Sequence, residues 1–400
     1  MKILFITDNF PPEVNAPATR TFEHCREWVI QGLDVTIITC FPNFPQGKLY
    51  SGYKSKLYQK ENIDGIKVIR VWSYITANEG FLKRTLDYFS FALMATLIGL
   101  FIKTDKIVAT SPQFFAAAAG RWLSFLKRKQ WIMEVRDLWP ESIKNVDAMN
   151  SGLGLRFLEW WEYRLYKTAS KIVVVTDAFK TFIINRGIGR EKIFVVKNGA
   201  NMDLYRPAPK NEALLMKLNL QNKFIISYIG THGLAHKLDF ILTTASHINN
   251  PDFHFLFIGA GAEKSKLIKL KDELGLTNVT MLDPIKKDEV PDYIGLSNVS
   301  LIPLKKSVLF HTVIPSKIFE TSAMQIPILL GVEGESKAII EKYQAGLCFE
   351  PENENDFIEK LNLLYTEKDL YTICKVGCAR LATDFDRKVL AKKMLSVITN

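Results

Sequence analysis

The chain has 400 residues, 48% hydrophobic and 24% charged, with a net charge of +10. That balance is ordinary for a soluble globular protein of two domains or more, and the absence of low-complexity tracts and fixed-period repeats excludes a repeat array. The charge is uneven: residues 1–205 carry +9 and residues 206–400 carry +1. The first half therefore suits an anionic partner such as nucleic acid, an anionic membrane or a phosphorylated substrate, with a plain basic surface as the alternative.

Five scattered cysteines (Cys25, Cys40, Cys348, Cys374, Cys378) without a CxxC pair do not make a disulfide framework, and they fit a reducing cytoplasm. His232 and His236 are four apart with only Asp239 as a near acidic neighbour, so no metal site is expected there.

Met1 to Thr7 is too short an apolar run for a signal peptide and reads as a first buried strand. A helix from about Pro17 to Ile30 follows, ended by Gly32, then the strand VTIIT. This β-loop-α-β unit belongs to a doubly wound parallel sheet, so the loop Asp8 to Arg20, with Asn15, faces a ligand cleft. It contains no glycine and is no GxGxxG fingerprint, which counts against a dehydrogenase. Phe41 to Tyr58 reads as a loop and Ile66 to Trp72 as a strand. Phe81 to Lys106 holds a 14-residue apolar core, Phe89 to Ile102, short of the roughly 20 residues that cross a bilayer. Two readings stand: a buried helix of the first domain, or a helix whose exposed side meets a membrane interface. KIVATS is a strand ending at Ser111-Pro112. Trp131 to Val135 is another, and places Arg136-Asp137 at its carboxyl end as cleft residues or as a structural ion pair. Near residue 205 a proline-containing, apolar-poor stretch reads as a domain boundary.

The second half restarts the alternation. FIISYIG ends a strand in Gly230, and HFLFIGAGAEKSKL makes a strand, a glycine turn at Gly259 and Gly261, and a helix. These glycines would let backbone approach a phosphate or ribose. Ile314 to Gly331 reads as turn, helix and buried strand. Pro315 starts the helix, Ser316 caps it, and Pro327 breaks it. Lys317 and Glu320 share a face, so the helix start offers either an anion site or a surface ion pair. The helix from about Arg387 to Ile398 is amphipathic.

These motifs together resemble the GT-B glycosyltransferases of glycosyltransferase family 4. The stretches FPPEVNAPATR, VVKNGANMDLYRP, FIGAGAEKSKL and PSKIFETSAMQIPILLG carry the likeness over essentially the full length. EVRDLWPES and the PSK–E form further resemble the bacterial subgroup that builds O-antigen or capsule repeats, including N-acetyl-fucosamine transferases.

The resemblance implies an α/β GT-B fold: two Rossmann-like domains facing a cleft. Residues 1–205 would bind the acceptor, 206–383 the nucleotide sugar, and a helix at 384–400 would pack back on the first domain. It implies a retaining transferase that moves an N-acetylated hexose or 6-deoxyhexose from a UDP-sugar. The acceptor would be a polyprenyl-diphosphate-linked glycan at the inner face of the bacterial plasma membrane, with no metal and no nucleic acid. Glu320 matches the carboxylate expected on the ribose hydroxyls. Lys237, with Lys317, Ser316 and Pro315, would face the diphosphate, and Gly259 and Gly261 the nucleotide. Two positions depart from the pattern: Thr312 replaces the first glutamate of the E-x7-E pair, and Thr231 replaces an arginine. Arg20 or Arg136 would supply charge instead, with Asn15 and Ser111 on the acceptor side and Asp137 positioning the acceptor. The rivals are a GT-B epimerase or hydrolase and a non-catalytic module that binds anionic membranes.

Overall fold

In the computed structural model, residues 1–44, 46–76, 81–111, 114–140 and 153–400 are described. Pro45, Pro112 and the Glu141-Ser142 end of the EVRDLWPES stretch lie outside them. The chain packs as two compact units, residues 1–197 with 388–400, and residues 198–387.

The first unit holds an eight-stranded sheet of β1 (Lys2–Ile6), β2 (Asp34–Cys40), β3 (Tyr58–Ile63), β4 (Ile66–Val71), β5 (Lys106–Thr110), β6 (Trp131–Val135), β7 (Lys171–Val174) and β8 (Ile193–Val195). Their order is β3-β4-β2-β1-β5-β6-β7-β8. Every pairing is parallel except the β3–β4 hairpin. From β1 the chain winds outward through β2 and β4, then reverses through β5, so β1 and β5 flank a switch point. The strands are covered on both faces, which is why they read as continuous apolar runs. Ile3, Phe5, Val35 and Ile37 pack on one face; Leu4, Ile6, Ile38 and Ile107 pack on the other. Helix α1 (Ala16–Ile30) lies on the first face, through Cys25 and Trp28. Helices α2 (Phe81–Gly99), α3 (Phe114–Lys127), α4 (Leu153–Thr168) and α5 (Asp177–Asn185) cover the second.

The edge strand β3 meets the expected loop only at Tyr58 and otherwise lies in a stretch to which no element was assigned. Its sequence, YQKENI, is polar on both faces because it sits at the edge, half exposed. The hairpin signal was Asp64-Gly65, both in the left-handed region (φ 50 and 83), as a tight two-residue turn requires. Within Phe81 to Lys106, α2 is one-sided. Phe91, Ala92 and Ala95 are buried in the core, while Phe89, Leu93 and Leu97 are exposed.

The second unit holds a six-stranded sheet of β9 (Phe224–Ile229), β10 (Phe253–Ile258), β11 (Val279–Leu282), β12 (Val299–Pro303), β13 (Ile328–Gly331) and β14 (Gly346–Cys348). It is parallel, with order β11-β10-β9-β12-β13-β14. The reversal falls between β9 and β12. Its helices are α6 (Glu212–Leu218), α7 (Leu238–Ser246), α8 (Lys264–Glu273), α9 (Val290–Gly295), α10 (Lys317–Ala323), α11 (Glu335–Tyr343), α12 (Glu354–Thr366) and α13 (Lys368–Asp384).

The division lies at Lys197/Asn198 rather than near residue 205. The reason is packing: Ala200 and Tyr205 belong to the second unit's core, and the Ala200 N–H donates to the Phe385 carbonyl (3.1 Å). The final helix, α14 (Arg387–Thr399), places Leu390, Met394 and Ile398 in the first unit's core. Trp28 Nε1 donates to the Ala391 carbonyl (2.9 Å) and Lys171 Nζ to that of Val397 (2.8 Å).

Candidate active site

In the second unit, two loops leave the carboxyl ends of β9 and β10 and close on each other. The Gly230 N–H donates to the Ile258 carbonyl (2.8 Å) and the His232 N–H to that of Ala260 (2.8 Å). The Glu263 N–H returns to the His232 carbonyl (3.0 Å). This approach leaves no room for side chains. A Cβ on Gly259 would collide with the Gly230 carbonyl oxygen, and one on Gly261 with the His232 backbone.

The third element is α10, which follows β12 across the switch point. Its lysine does not project into solvent with Glu320 as a surface pair. Lys317 Nζ sits 3.7 Å from the centroid of the Tyr228 ring, and a Cβ on Gly230 would lie 2.5 Å from Lys317 Cε. Glycine at 230 therefore makes space for this lysine. Tyr228 in turn donates its hydroxyl to the Thr231 carbonyl (2.6 Å), which fixes the loop from beneath. Burial lowers the Lys317 ammonium to about 7, opposed by the Glu320 carboxylate one turn on. The neighbouring imidazoles are neutral at pH 7. Burial and the Lys264 and Lys317 charges bring His232 to about 4, and burial with Lys317 and His232 brings His236 to about 4. The buried His232 ring has no hydrogen-bond partner on either nitrogen. Among the described residues no group of three or more His, Cys, Asp or Glu side chains gathers as a metal ligand set.

Lys237 occupies a left-handed position (φ 47) at the start of α7. Its ammonium is hydrogen-bonded to Asp239 (3.2 Å), which raises its pKa, and lies 3.7 Å from Glu352. These groups line a cavity of about 350 Å³ together with Gly233, Leu234 and Lys305. Thr231 is exposed and Thr312 half-buried.

Two local expectations about α10 are corrected. Ser316 makes no side-chain capping bond, because it already has helical dihedrals (φ −60, ψ −26). A capping hydroxyl needs an extended residue to reach the free N–H groups. Nor does Pro327 end the helix. Gln325 in the left-handed region (φ 55) does, with Ile326 N–H on the Thr321 carbonyl and Gln325 N–H on that of Ser322, a Schellman closure. At seven residues α10 is also too short to be an anion site by its N-terminus alone.

In the first unit, the expected cleft residues divide. Arg20 is no mobile source of charge. Its guanidinium donates to Glu134 Oε1 (3.0 Å) and to the carbonyls of Lys197 (2.8 Å) and Val196 (2.9 Å), in a nearly solvent-free site. Burial alone would raise the Glu134 carboxyl, but Arg20 and Arg136 outweigh it and hold the carboxyl low. Asn15 caps α1, accepting from the Ala18 N–H (2.9 Å) and donating to Asn9 (2.7 Å). Ser111 is buried, with its N–H on the Glu134 carbonyl (2.8 Å). Arg136 and Asp137 are half-exposed at the carboxyl end of β6. Sequence reasoning missed Tyr228 and Glu134. Both sit inside apolar strand runs, where a polar residue amid FIISYIG or WIMEV was the only signal.

Two predominantly parallel sheets, each with a strand-order reversal and loops at its carboxyl edge, define a two-domain α/β protein of the kind that binds ligands at such edges. Residues 15–199 match the "Glycosyl transferase 4-like domain" family and residues 211–376 the "Glycosyl transferases group 1" family. The chain is 24% identical over 366 residues to WcaI of Escherichia coli (strain K12), a glycosyl transferase assigned to colanic acid biosynthesis; this covers 88% of the chain and 89% of the relative. Its fold is similar to that of the sucrose-phosphate synthase of Thermosynechococcus elongatus (TM-score 0.76, 15% identity, 99% and 98% of the two chains). It is also similar to Anabaena Alr3699/HepE in complex with UDP-glucose (TM-score 0.73, 15% identity, 100% and 99%). The protein is a glycosyltransferase with the GT-B fold.

Proposed function

We propose that the protein transfers a sugar from a UDP-linked donor to a lipid-linked glycan during bacterial surface polysaccharide synthesis, at the inner face of the plasma membrane. The observation that carries the donor side is Lys317 brought beneath Gly230, where the closed glycine loops meet the β9–β12 switch point. The UDP-glucose bound by HepE and the pathway named for WcaI support the donor and product classes.

In this reading Glu320 accepts hydrogen bonds from the ribose hydroxyls, and Gly259 and Gly261 admit the nucleotide. Lys317, with Lys237, stabilises the charge that develops on the leaving diphosphate, so no metal is needed. With retention, the bond from the sugar's anomeric carbon to the β-phosphate oxygen breaks while the acceptor oxygen bonds to that carbon on the same face. The acceptor's proton passes to the departing phosphate. Arg136 and Asp137 orient the acceptor. Thr312 cannot act as a carboxylate on the sugar, so donor selectivity would rest on neutral hydrogen bonds. An epimerase or hydrolase, attacking with water, would need carboxylates over the sugar and is not favoured. The sugar class, an N-acetylated hexose or 6-deoxyhexose of the O-antigen or capsule type, is the narrowest part of the proposal.

The test is a donor screen with purified protein and membrane-extracted polyprenyl-diphosphate glycans. Transfer from a UDP-sugar with the anomeric configuration kept is expected. Hydrolysis or epimerisation without transfer would overturn the reading.

A further inference from the structure

We propose that the outer face of α2, continued by the end of α3, is a docking surface for an anionic lipid bilayer. The stripe is built by helical spacing: Leu86, Phe89, Leu93, Leu97 and Leu100 follow one another by three or four residues and are all exposed. Phe101 continues it at 87% exposure. The end of α3 adds Phe125 and Leu126, 82% and 54% exposed. Lys127 Nζ donates to the Leu100 carbonyl (2.8 Å), tying the two ends together. Scattered exposed apolar residues are normal on any protein, but a contiguous stripe along a whole helix is not.

The opposite side of α2 is committed to the core through Phe91, Ala92 and Ala95. The helix therefore cannot turn over to hide the stripe. Among the described residues no helix is long and apolar enough to cross a membrane, so a bilayer would meet this face at its interface rather than be spanned by it.

Charge selects the occupant. Residues 81–130 contain eight Lys or Arg and two Asp. Lys83 and Arg84 stand exposed at one end of the stripe, and Lys103, Arg128 and Lys129 at the other. Of the two acids, Asp105 accepts from the Lys2 N–H (2.7 Å) and Asp87 is half-buried. An apolar stripe between basic ends matches acyl chains beneath anionic headgroups. A second copy of the chain would bring a like-charged rim against it.

The inference deepens the lipid-linked acceptor reading without depending on catalysis. The experiment is cosedimentation of the full chain with phosphatidylethanolamine–phosphatidylglycerol vesicles and with phosphatidylcholine vesicles, without donor or acceptor. Binding to the anionic vesicles should be about tenfold tighter and should weaken with salt. The double variant Leu93→Glu/Leu97→Glu and the triple variant Lys83→Glu/Arg84→Glu/Lys103→Glu should each lose about tenfold or more in vesicle affinity. Both should keep UDP affinity and unfolding midpoint, since every altered side chain is exposed. Wild-type protein that ignores anionic vesicles would overturn the proposal. So would variants that bind like wild type, or a wild-type dimer, seen by light scattering, that Leu93→Glu/Leu97→Glu makes monomeric. Vesicle binding without sugar transfer would instead remove the functional reading and leave the docking face standing.

Discussion

The two units treat a cation near the carboxyl ends of their strands in opposite ways. In the first, Arg20 is buried and spent: a carboxylate and two carbonyls take up its guanidinium. In the second, Lys317 lies against an aromatic face and beneath a glycine, and burial disfavours its charge. A buried cation matched by a buried carboxylate is a structural tie, costly to break and with nothing left to offer a ligand. One held against a ring keeps charge available for an incoming anion. The contrast marks Arg20 as scaffold and leaves Lys317 as the candidate for a site, where the residue types alone would not.

Breaking the tie should have the largest effect. Glu134→Gln leaves Arg20 without its counter-charge in a nearly solvent-free site, which should cost about 3–5 kcal/mol of stability. Denaturant unfolding measures it. A loss under about 1 kcal/mol, the scale of a surface pair, would show that Arg20 is not structural.

Next is Lys317→Met. It should lower kcat/KM by about 10²–10³, the range for removing one preorganised stabiliser of developing charge, with no loss of stability. Steady-state kinetics on the best donor decides it. Activity within twofold of wild type would return Lys317 to the status of a packing residue.

Much of this contrast was legible in the sequence, but not all. The fold was, because strands covered on both faces announce themselves as KILFIT, KIVAT and FIISYI, and because glycines and prolines punctuate them. The glycine turns were legible too, at Gly230, Gly259 and Gly261. What could not be read was which charged residues are satisfied. Arg20 meets Glu134 across 114 positions in the chain, and Lys317 meets Tyr228 across β10, β11 and β12, so no local pattern could pair them. The same blindness left β3 unassigned, because its polar sequence reflects its place at a sheet edge and lacks the apolar run of a covered strand.

A third test turns on Glu320, the neighbour of Lys317 along α10. Glu320→Ala should raise the donor KM by about ten- to a hundredfold, the value of hydrogen bonds to a charged acceptor, while kcat changes little. Calorimetry with UDP and with free uracil would show the loss confined to the ribose-bearing ligand. Unchanged UDP binding would end the ribose role.

The last expected effect is the one specific to a lysine poised near neutrality. With its free-state value at about 7, Lys317 is charged below that pH and loses its proton above it. A diphosphate bound nearby favours the charged form, so above pH 7 binding must take up a proton. UDP affinity should therefore fall between pH 7 and 9 by up to about tenfold per unit, a window in which UDP's terminal phosphate, with a pKa of about 6, stays ionised. Lys317→Arg, which does not titrate, should remove the slope, and Lys317→Met should remove the slope and most of the affinity. Stability carries the opposite sign. The native value lies below the ordinary 10.5, so between pH 7 and 10.5 the unfolded chain binds the proton that the native state lacks. This lysine's penalty on folding therefore fades as pH rises through that window. A pH-independent UDP affinity in the wild type would mean that Lys317 does not meet the diphosphate, and the contrast with Arg20 would reduce to two modes of packing.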